Sequence, residues 1–422
     1  MPDPESRRRW WQLLPEYGRY HSEFRTDEQR GDFEWLEVRP ELVISALLKS
    51  LVQPGFEMVP RVMGFPGLGP MHIKWIRCRY HFRADSFAAT WESIVRATWD
   101  RAYMTDLMRR VRRSYDQLEE VLVLFPDTED ELRAQPGHRL AALITAWWPR
   151  WVEFFALCWF IQAQGDDVAY PFVEETVRDN LSRLPDPPAG LAWPGARELI
   201  APTTPVMSGD YMGDLARLRE DLLAAGLVDA ASAESRLARG EHRDVARRLE
   251  AHIGKWHWMR DRDLLFEPWD TPHRVIRTAL ETDPHEPVRY QENLRRGLLA
   301  LALHTDLAHA SGRAEALQHH ARFVHDLNVE RENHHVLWLK YSYPLRRVIV
   351  EVERRLVDAG SLRPGDVFFL QAPELIDAAR SLPTPLPDDL VIRVRNRRLG
   401  YLVEARLAPD VDGQPVDEDD YY

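Results

Sequence analysis

The chain has 422 residues, with 67 Asp plus Glu against 55 Lys plus Arg, which gives a formal charge of −12. That balance argues against a nucleic-acid binder, which needs a basic footprint. Hydrophobic residues at 45% and aromatics at 10% are enough for a large packed core, so disordered and fibrous classes drop out.

The basic residues are nearly all arginine, the only lysines being Lys49, Lys74, Lys255 and Lys340. Cys78 and Cys158 are too few for a disulfide framework or a closed zinc site, and both sit among apolar or aromatic neighbours as core thiols do, which points to a reducing cytosol. Residues 1–9 (MPDPESRRR) run into Trp10 and Trp11 with no apolar stretch, so no secretory signal is expected and the chain is expected to start at Met1. Residues 60–70, PRVMGFPGLGP, are irregular; without a following Lys-Ser or Lys-Thr and a helix start they are not expected to cradle phosphate. The aromatic and basic alternation of residues 72–82 suits a short strand pair or a buried turn.

Helical periodicity then takes over, with helices expected at 86–100, 104–124, 131–148, 151–164 and 170–184. Residues 140–161 are the most hydrophobic stretch, but Pro149, Arg150 and Glu153 fall at its centre. Charges there are costly in a bilayer, so a buried helix pair broken at Pro149 is expected rather than a membrane span. Residues 185–209 hold Pro185, Pro187, Pro188, Pro194, Pro202 and Pro205 with Gly190 and Gly195, the composition of a loop or linker. Near the end, Leu345, Val348, Ile349, Val352, Leu356 and Val357 form one apolar helical stripe, and Gly360 is placed to end it. The fold class expected is all-α, a large multi-helix domain with lobes at 1–184 and 210–408 on either side of the proline-rich stretch. A deep apolar pocket lined by Trp and His and an acidic, frayed tail at 409–422 complete the expectation.

The conspicuous chemistry lies in residues 329–343, VERENHHVLWLKYSY, preceded by His319, His320 and His325. On a helix Glu330 and His334 lie one turn apart, as do Arg331 and His335, with Trp338 on the same side as Arg331 and His335. One reading is a pocket wall, with Glu330, Glu332, His334 or His335 moving protons and Arg331 clamping an anion; the other is a solvated helix face with internal ion pairs. Glu330 and His334 have the spacing of two metal ligands, but the HExxH order is absent and no third ligand is identifiable, so no metal is expected. In residues 252–269 the rings of Trp256, His257 and Trp258, with Lys255 and Arg260 beside them, could line a site for a planar ligand or simply belong to an aromatic core. The same choice applies to Trp147, Trp148, Trp151 and Trp159. No GxSxG, CxxC, DDxxD, Rossmann or Walker pattern occurs in a suitable context.

Residues 329–375 resemble the end of the helical domain in the phosphoenolpyruvate-utilising family, which includes phosphoenolpyruvate synthase-like enzymes and rifampicin phosphotransferase. The resemblance is carried by Arg331-Glu332, Arg346-Arg347, Arg354-Arg355-Leu356 before Ala359-Gly360, Asp366-Val367-Phe368-Phe369-Leu370 and Glu374-Leu375. Pro54-Gly55-Phe56 is a weaker echo, and Ile253-Gly254-Lys255-Trp256 departs from the family's pattern. The resemblance implies a helical substrate-binding domain standing alone. The chain shows no glycine-rich ATP-grasp signature and no phosphohistidine motif, so it implies that ATP and phosphohistidine chemistry are supplied by other chains, with no cofactor held here.

Two functions follow. In the first, the chain is the acceptor-binding part of a split phosphotransferase for a hydrophobic or aromatic small molecule, served by ATP-grasp and phosphohistidine subunits. Arg331 and Glu332 then lie near the phosphoryl acceptor, and Trp256, His257, Trp258, Trp338 and Tyr341 hold the ligand. In the second, the domain works unaided as an isomerase, cyclase or lyase of a secondary metabolite. The first is preferred because the resemblance places the arginines and acids as phosphoryl chemistry would. Both imply a cytoplasmic protein without nucleic-acid or membrane partners; a third possibility is a protein that only binds and sequesters its ligand.

Overall fold

The computed structural model describes residues 35–37, 45–65, 67–71, 73–76, 79–98, 100–163, 170–182, 193, 195, 199, 206–259, 268, 271–282, 295–300, 302–304, 306 and 314–407, some of them by backbone alone. The start of the chain, Cys78, most of the proline-rich stretch and the tail at 409–422 lie outside these residues, as do the side chains of Cys158, Trp159, His319, His320 and His335.

The fold is all-α in class, with one small antiparallel sheet. Its elements are β1 (Trp35–Glu37), α1 (Ala46–Val62), β2 (Ile73–Ile76), β3 (Arg79–Arg83), α2 (Ala84–Thr98), α3 (Arg101–Leu122), α4 (Glu129–Arg133), α5 (Gly137–Ala163), α6 (Tyr170–Leu181), α7 (Met207–Ala224), α8 (Ala230–Ala238), α9 (Arg243–Trp256), α10 (Pro272–Glu281), α11 (Ala314–Asp358), a 3-10 turn (Asp366–Phe369), α12 (Ala372–Ser381) and α13 (Asp388–Leu407). The sheet has the order β1-β3-β2, with Trp35 opposite Arg83 and Ile73 opposite Phe82. The alternating stretch at 72–82 thus supplies a strand pair. Among the described residues no helix is long and apolar enough to cross a membrane.

The chain divides into unit 1 (Met1–Trp159, Asp261–Phe266 and Tyr341–Tyr422) and unit 2 (Phe160–Arg260 and Glu267–Lys340). These are not sequential lobes about the prolines. Two of the divisions fall inside α5 and α11, where a continuous helix leaves no Pro- or Gly-rich mark in the sequence.

In unit 1, α1 is a core helix, every residue from Ala46 to Pro60 being buried. Ser45 caps it by accepting the Leu48 N–H at 3.3 Å. It runs through Pro54 and Pro60 and closes at Gly64 (φ 94°), where Phe65 N–H reaches Pro60 O and Gly64 N–H reaches Arg61 O. Helix α5 likewise continues through Pro149, so the expected break there does not occur. A helix-interior proline costs about 3 kcal/mol, and the buried rings around it outweigh that. Trp147 stacks on Trp151 at 5.0 Å, Trp151 on Phe155 at 5.7 Å, and the Trp148 Nε1–H donates to Leu51 O at 3.1 Å. Gly55 lets the two helices meet, since a Cβ there would stand 2.7 Å from Phe155 Cδ1. Helix α11 passes Pro344, buries Leu345, Val348, Ile349, Val352 and Leu356, and ends at Gly360 (φ 73°) with Ser361 N–H bonded to Leu356 O.

In unit 2, α7, α8, α9 and α10 pack together around Leu215, Leu218, Leu222, Leu237, Leu249 and Ile276. A separate core joins Val173 and Val177 of α6 to Leu199, Ala300 and Ala321.

Candidate functional site

The 330–335 segment lies on α11 in unit 2, and its polar groups brace another helix. Helix α7 starts at Val206 without a side-chain cap, which leaves its first N–H groups to find partners elsewhere. Asn333 Oδ1 accepts the Met207 N–H at 2.9 Å, and Glu332 Oε2 accepts the Ser208 hydroxyl at 3.2 Å. Arg331 Nη2 donates to Glu332 Oε1 at 3.2 Å. A carboxylate at a helix start is favoured by the exposed amides and the dipole, so Arg331, Glu332 and Asn333 have structural work that the sequence does not reveal. Glu330 is buried, His334 and Trp338 are half-buried, and the side chain of His335 lies outside the described residues. Tyr341 parts from the group. It belongs to unit 1, where its ring meets Phe154 edge-on at 5.5 Å and its carbonyl accepts the Trp147 indole N–H at 2.9 Å.

Trp256 and Trp258 come together with His252, the first residue of the 252–269 stretch and one turn before Trp256 on α9, which the sequence reading gives no role, and with Tyr211 on α7, which lies outside that stretch. Tyr211 lies 5.6 Å from His252 and 5.4 Å from Trp256, and Trp258 lies 5.4 Å from Trp256. All four are buried. Asp214 fixes the edge of the group: its Oδ2 accepts the Trp256 indole N–H and the Lys255 ammonium, each at 2.8 Å, and it also pairs with Arg217. Burial pushes the Asp214 carboxyl up, but hydrogen bonds from Lys255, Trp256 and Arg217 outweigh it and hold the carboxyl below its ordinary value. Lys255 Nζ stands 4.6 Å over the Trp256 ring. His257 is half-buried beside the group, with Nδ1 3.1 Å from Gly254 O.

His252 is the unusual member. Burial, with Lys255 adding and Asp214 opposing, lowers it to about 4, so its ring is neutral at pH 7. Its Nδ1 is buried without a hydrogen-bond partner among the described residues. Burial also pushes the Tyr211 hydroxyl up to about 12.

A further polar group lies in unit 1, where the sequence reading placed none. Lys49, Ser50, Gln53 and Glu57 of α1 are each no more than 5% exposed. Residues 49, 53 and 57 follow one another at four-residue steps and share a face. Gln53 Nε2 donates to Glu57 Oε1 at 3.0 Å, and Ser50 Oγ accepts the Ala372 N–H at 2.7 Å. The sequence signal was the spacing K-x-x-x-Q-x-x-x-E in an apolar run, masked by Pro54-Gly55 and Pro60.

Arg347, Arg355, Glu374 and Asp366, which also carried the family resemblance, form ion pairs within unit 1. Arg347 meets Glu129 at 2.7 Å, Arg355 meets Glu351 at 2.6 Å, Arg397 meets Glu374 at 2.6 Å and Arg398 meets Asp366 at 2.9 Å. Arg346 lies over the Phe368 ring at 5.8 Å. Among the described residues no group of three His, Cys, Asp or Glu side chains could hold a metal ion. A scan against protein-family models finds no match, and no curated protein matches the chain.

Proposed function

We propose that the chain binds a hydrophobic aromatic small molecule carrying a hydroxyl group and works on it without nucleotide, as an isomerase, cyclase or lyase in the cytosol. The observation that supports this reading is the Tyr211, His252, Trp256 and Trp258 group. Rigid rings give contact area at low entropic cost. A neutral imidazole nitrogen left unbonded among the described residues costs about 1–3 kcal/mol, and a ligand hydroxyl would meet that need. In the Nε2–H tautomer Nδ1 accepts the ligand O–H; in the other it donates to the oxygen. Trp256 is held in place by Asp214 and Lys255.

Tryptophan fluorescence and calorimetry with 2-naphthol test this reading. The wild-type chain is expected to bind it, and His252→Phe to bind at least tenfold more weakly; no heat and no fluorescence change with the wild type would count against it. The phosphotransferase reading rests on the resemblance of residues 329–375, several of whose charged positions are occupied in bracing the fold. Transfer of label from ATP to an aromatic acceptor, only when ATP-grasp and phosphohistidine subunits are added, would bring it back.

A further inference from the structure

Helix α13 is apolar on two opposite sides. Leu390, Val391, Val394 and Tyr401 are buried, and the Tyr401 ring meets Phe369 edge-on at 5.5 Å. A helix seated on its core by one stripe ordinarily carries polar residues on the other. The outward face of α13 instead carries Ile392, Leu399 and Val403, which are 57%, 63% and 49% exposed. Scattered exposed apolar residues need no explanation, but these are not scattered. With Asn396, which is also exposed, they run at steps of four, three and four residues. That is the a and d seam of a coiled coil, with residues 396 and 403 at a and residues 392 and 399 at d. The buried residues then fall at b, c and f, so the seam faces away from the core.

We propose that this seam takes the same helix of a second copy of the chain, lying antiparallel, to form a twofold dimer. In an antiparallel pair centred between residues 397 and 398, Ile392 meets Val403 of the second copy and Asn396 meets Leu399. Asp389, an exposed residue, comes level with position 406, an arginine in the sequence. Asp389 also pairs with Arg393 of its own chain at 2.5 Å, and a carboxylate can accept from both. Gly400, around which a Cβ would meet nothing within 4 Å, comes alongside Arg393 of the second copy and leaves its stem room. A parallel pair would instead lay Asp389 on Asp389 and arginine on arginine at position 406, like charges in contact. The two Asn396 residues lie about 4.5 Å apart along the axis of the antiparallel pair at 1.5 Å per residue. An amide in such a seam costs stability and fixes register. Arg397 and Arg398, further round the helix, are held by Glu374 and Asp366 of their own chain, so this face asks for no acidic partner. The inference goes beyond the unit 2 site and does not depend on it.

Sedimentation of the full chain tests this. The seam is two heptads long, so the dimer is expected to be weak, the mass rising from one chain toward two between about 2 and 200 μM. Leu399→Arg is expected to weaken association about tenfold or more. It should leave the circular dichroism spectrum and the urea midpoint of the dilute chain unchanged, because Leu399 is exposed. Val123→Arg, at an exposed apolar position outside the seam, should leave association as it is. Oxidation of an equal mixture of Ile392→Cys and Val403→Cys chains is expected to link one to the other, with wild type as the background for the native cysteines. A wild-type chain that stays single at the top concentration would overturn the proposal. So would a dimer that Leu399→Arg leaves intact, equal weakening by Val123→Arg, or Ile392→Cys chains that link to themselves as a parallel pair would.

Discussion

Unit 1 buries a carboxyl and unit 2 buries an imidazole, and the same physical cause drives the two groups in opposite directions. Removal from water disfavours whichever form is charged, so Glu57 rises from 4.5 to about 7 while His252 falls from 6.5 to about 4. For Glu57 the folded chain favours the protonated form. Its contribution to stability is fully present below pH 4.5 and is lost as the pH rises through about 7. For His252 the folded chain favours the neutral form, so its contribution is fully present above pH 6.5 and is lost as the pH falls through about 4. At 1.36 kcal/mol per unit, each shift corresponds to about 3 kcal/mol across its window. Glu57 in unit 1 therefore favours acid, and His252 in unit 2 favours alkali.

The largest effect expected is in the core and leaves this contrast untouched. Trp151→Ala removes the middle ring of the Trp147, Trp151 and Phe155 stack and should cost about 3–5 kcal/mol, read as lost hydrogen-exchange protection in α1 and α5. Equal loss of protection in α8 and α9 would mean that the units do not respond separately. Next, Glu57→Gln should stabilise unit 1 near pH 8 by about 2–3 kcal/mol and change little near pH 4, as measured by urea unfolding at the two values. His252→Phe should remove about 2 kcal/mol of the acid-side loss in unit 2, seen as α9 protection that no longer falls between pH 6.5 and 4. The smallest effect concerns the α7 start. Asn333→Ala takes the Met207 N–H acceptor away and should cost about 1 kcal/mol, the usual value of a cap, as exchange confined to the first turn of α7.

These residues also show why the sequence disclosed some parts and not others. The stripe from Leu345 to Leu356 and the stop at Gly360 are local patterns, and they appear as read. Pro54, Pro60 and Pro149 are local signals too, but burial on every side of α1 and the rings along α5 override them, so a helix was missed and another was divided. Glu332 looks like chemistry because its partner, Ser208, lies 124 positions away, and nothing local marks the bond of Asn333 to Met207, 126 positions away. Trp256 and Trp258 were legible as a group, and His252 was within reach one turn earlier, whereas Tyr211 comes from another helix with no sequence mark. The buried face of α1 was present as a four-residue period, hidden only by Pro and Gly.

Hydrogen exchange of the wild-type chain, corrected for intrinsic rates and compared at pH 4.5 and 7.5, tests the contrast most directly. Protection of α1 should fall and protection of α9 should rise between the two values. Movement of both in the same direction, or of neither, would contradict the account.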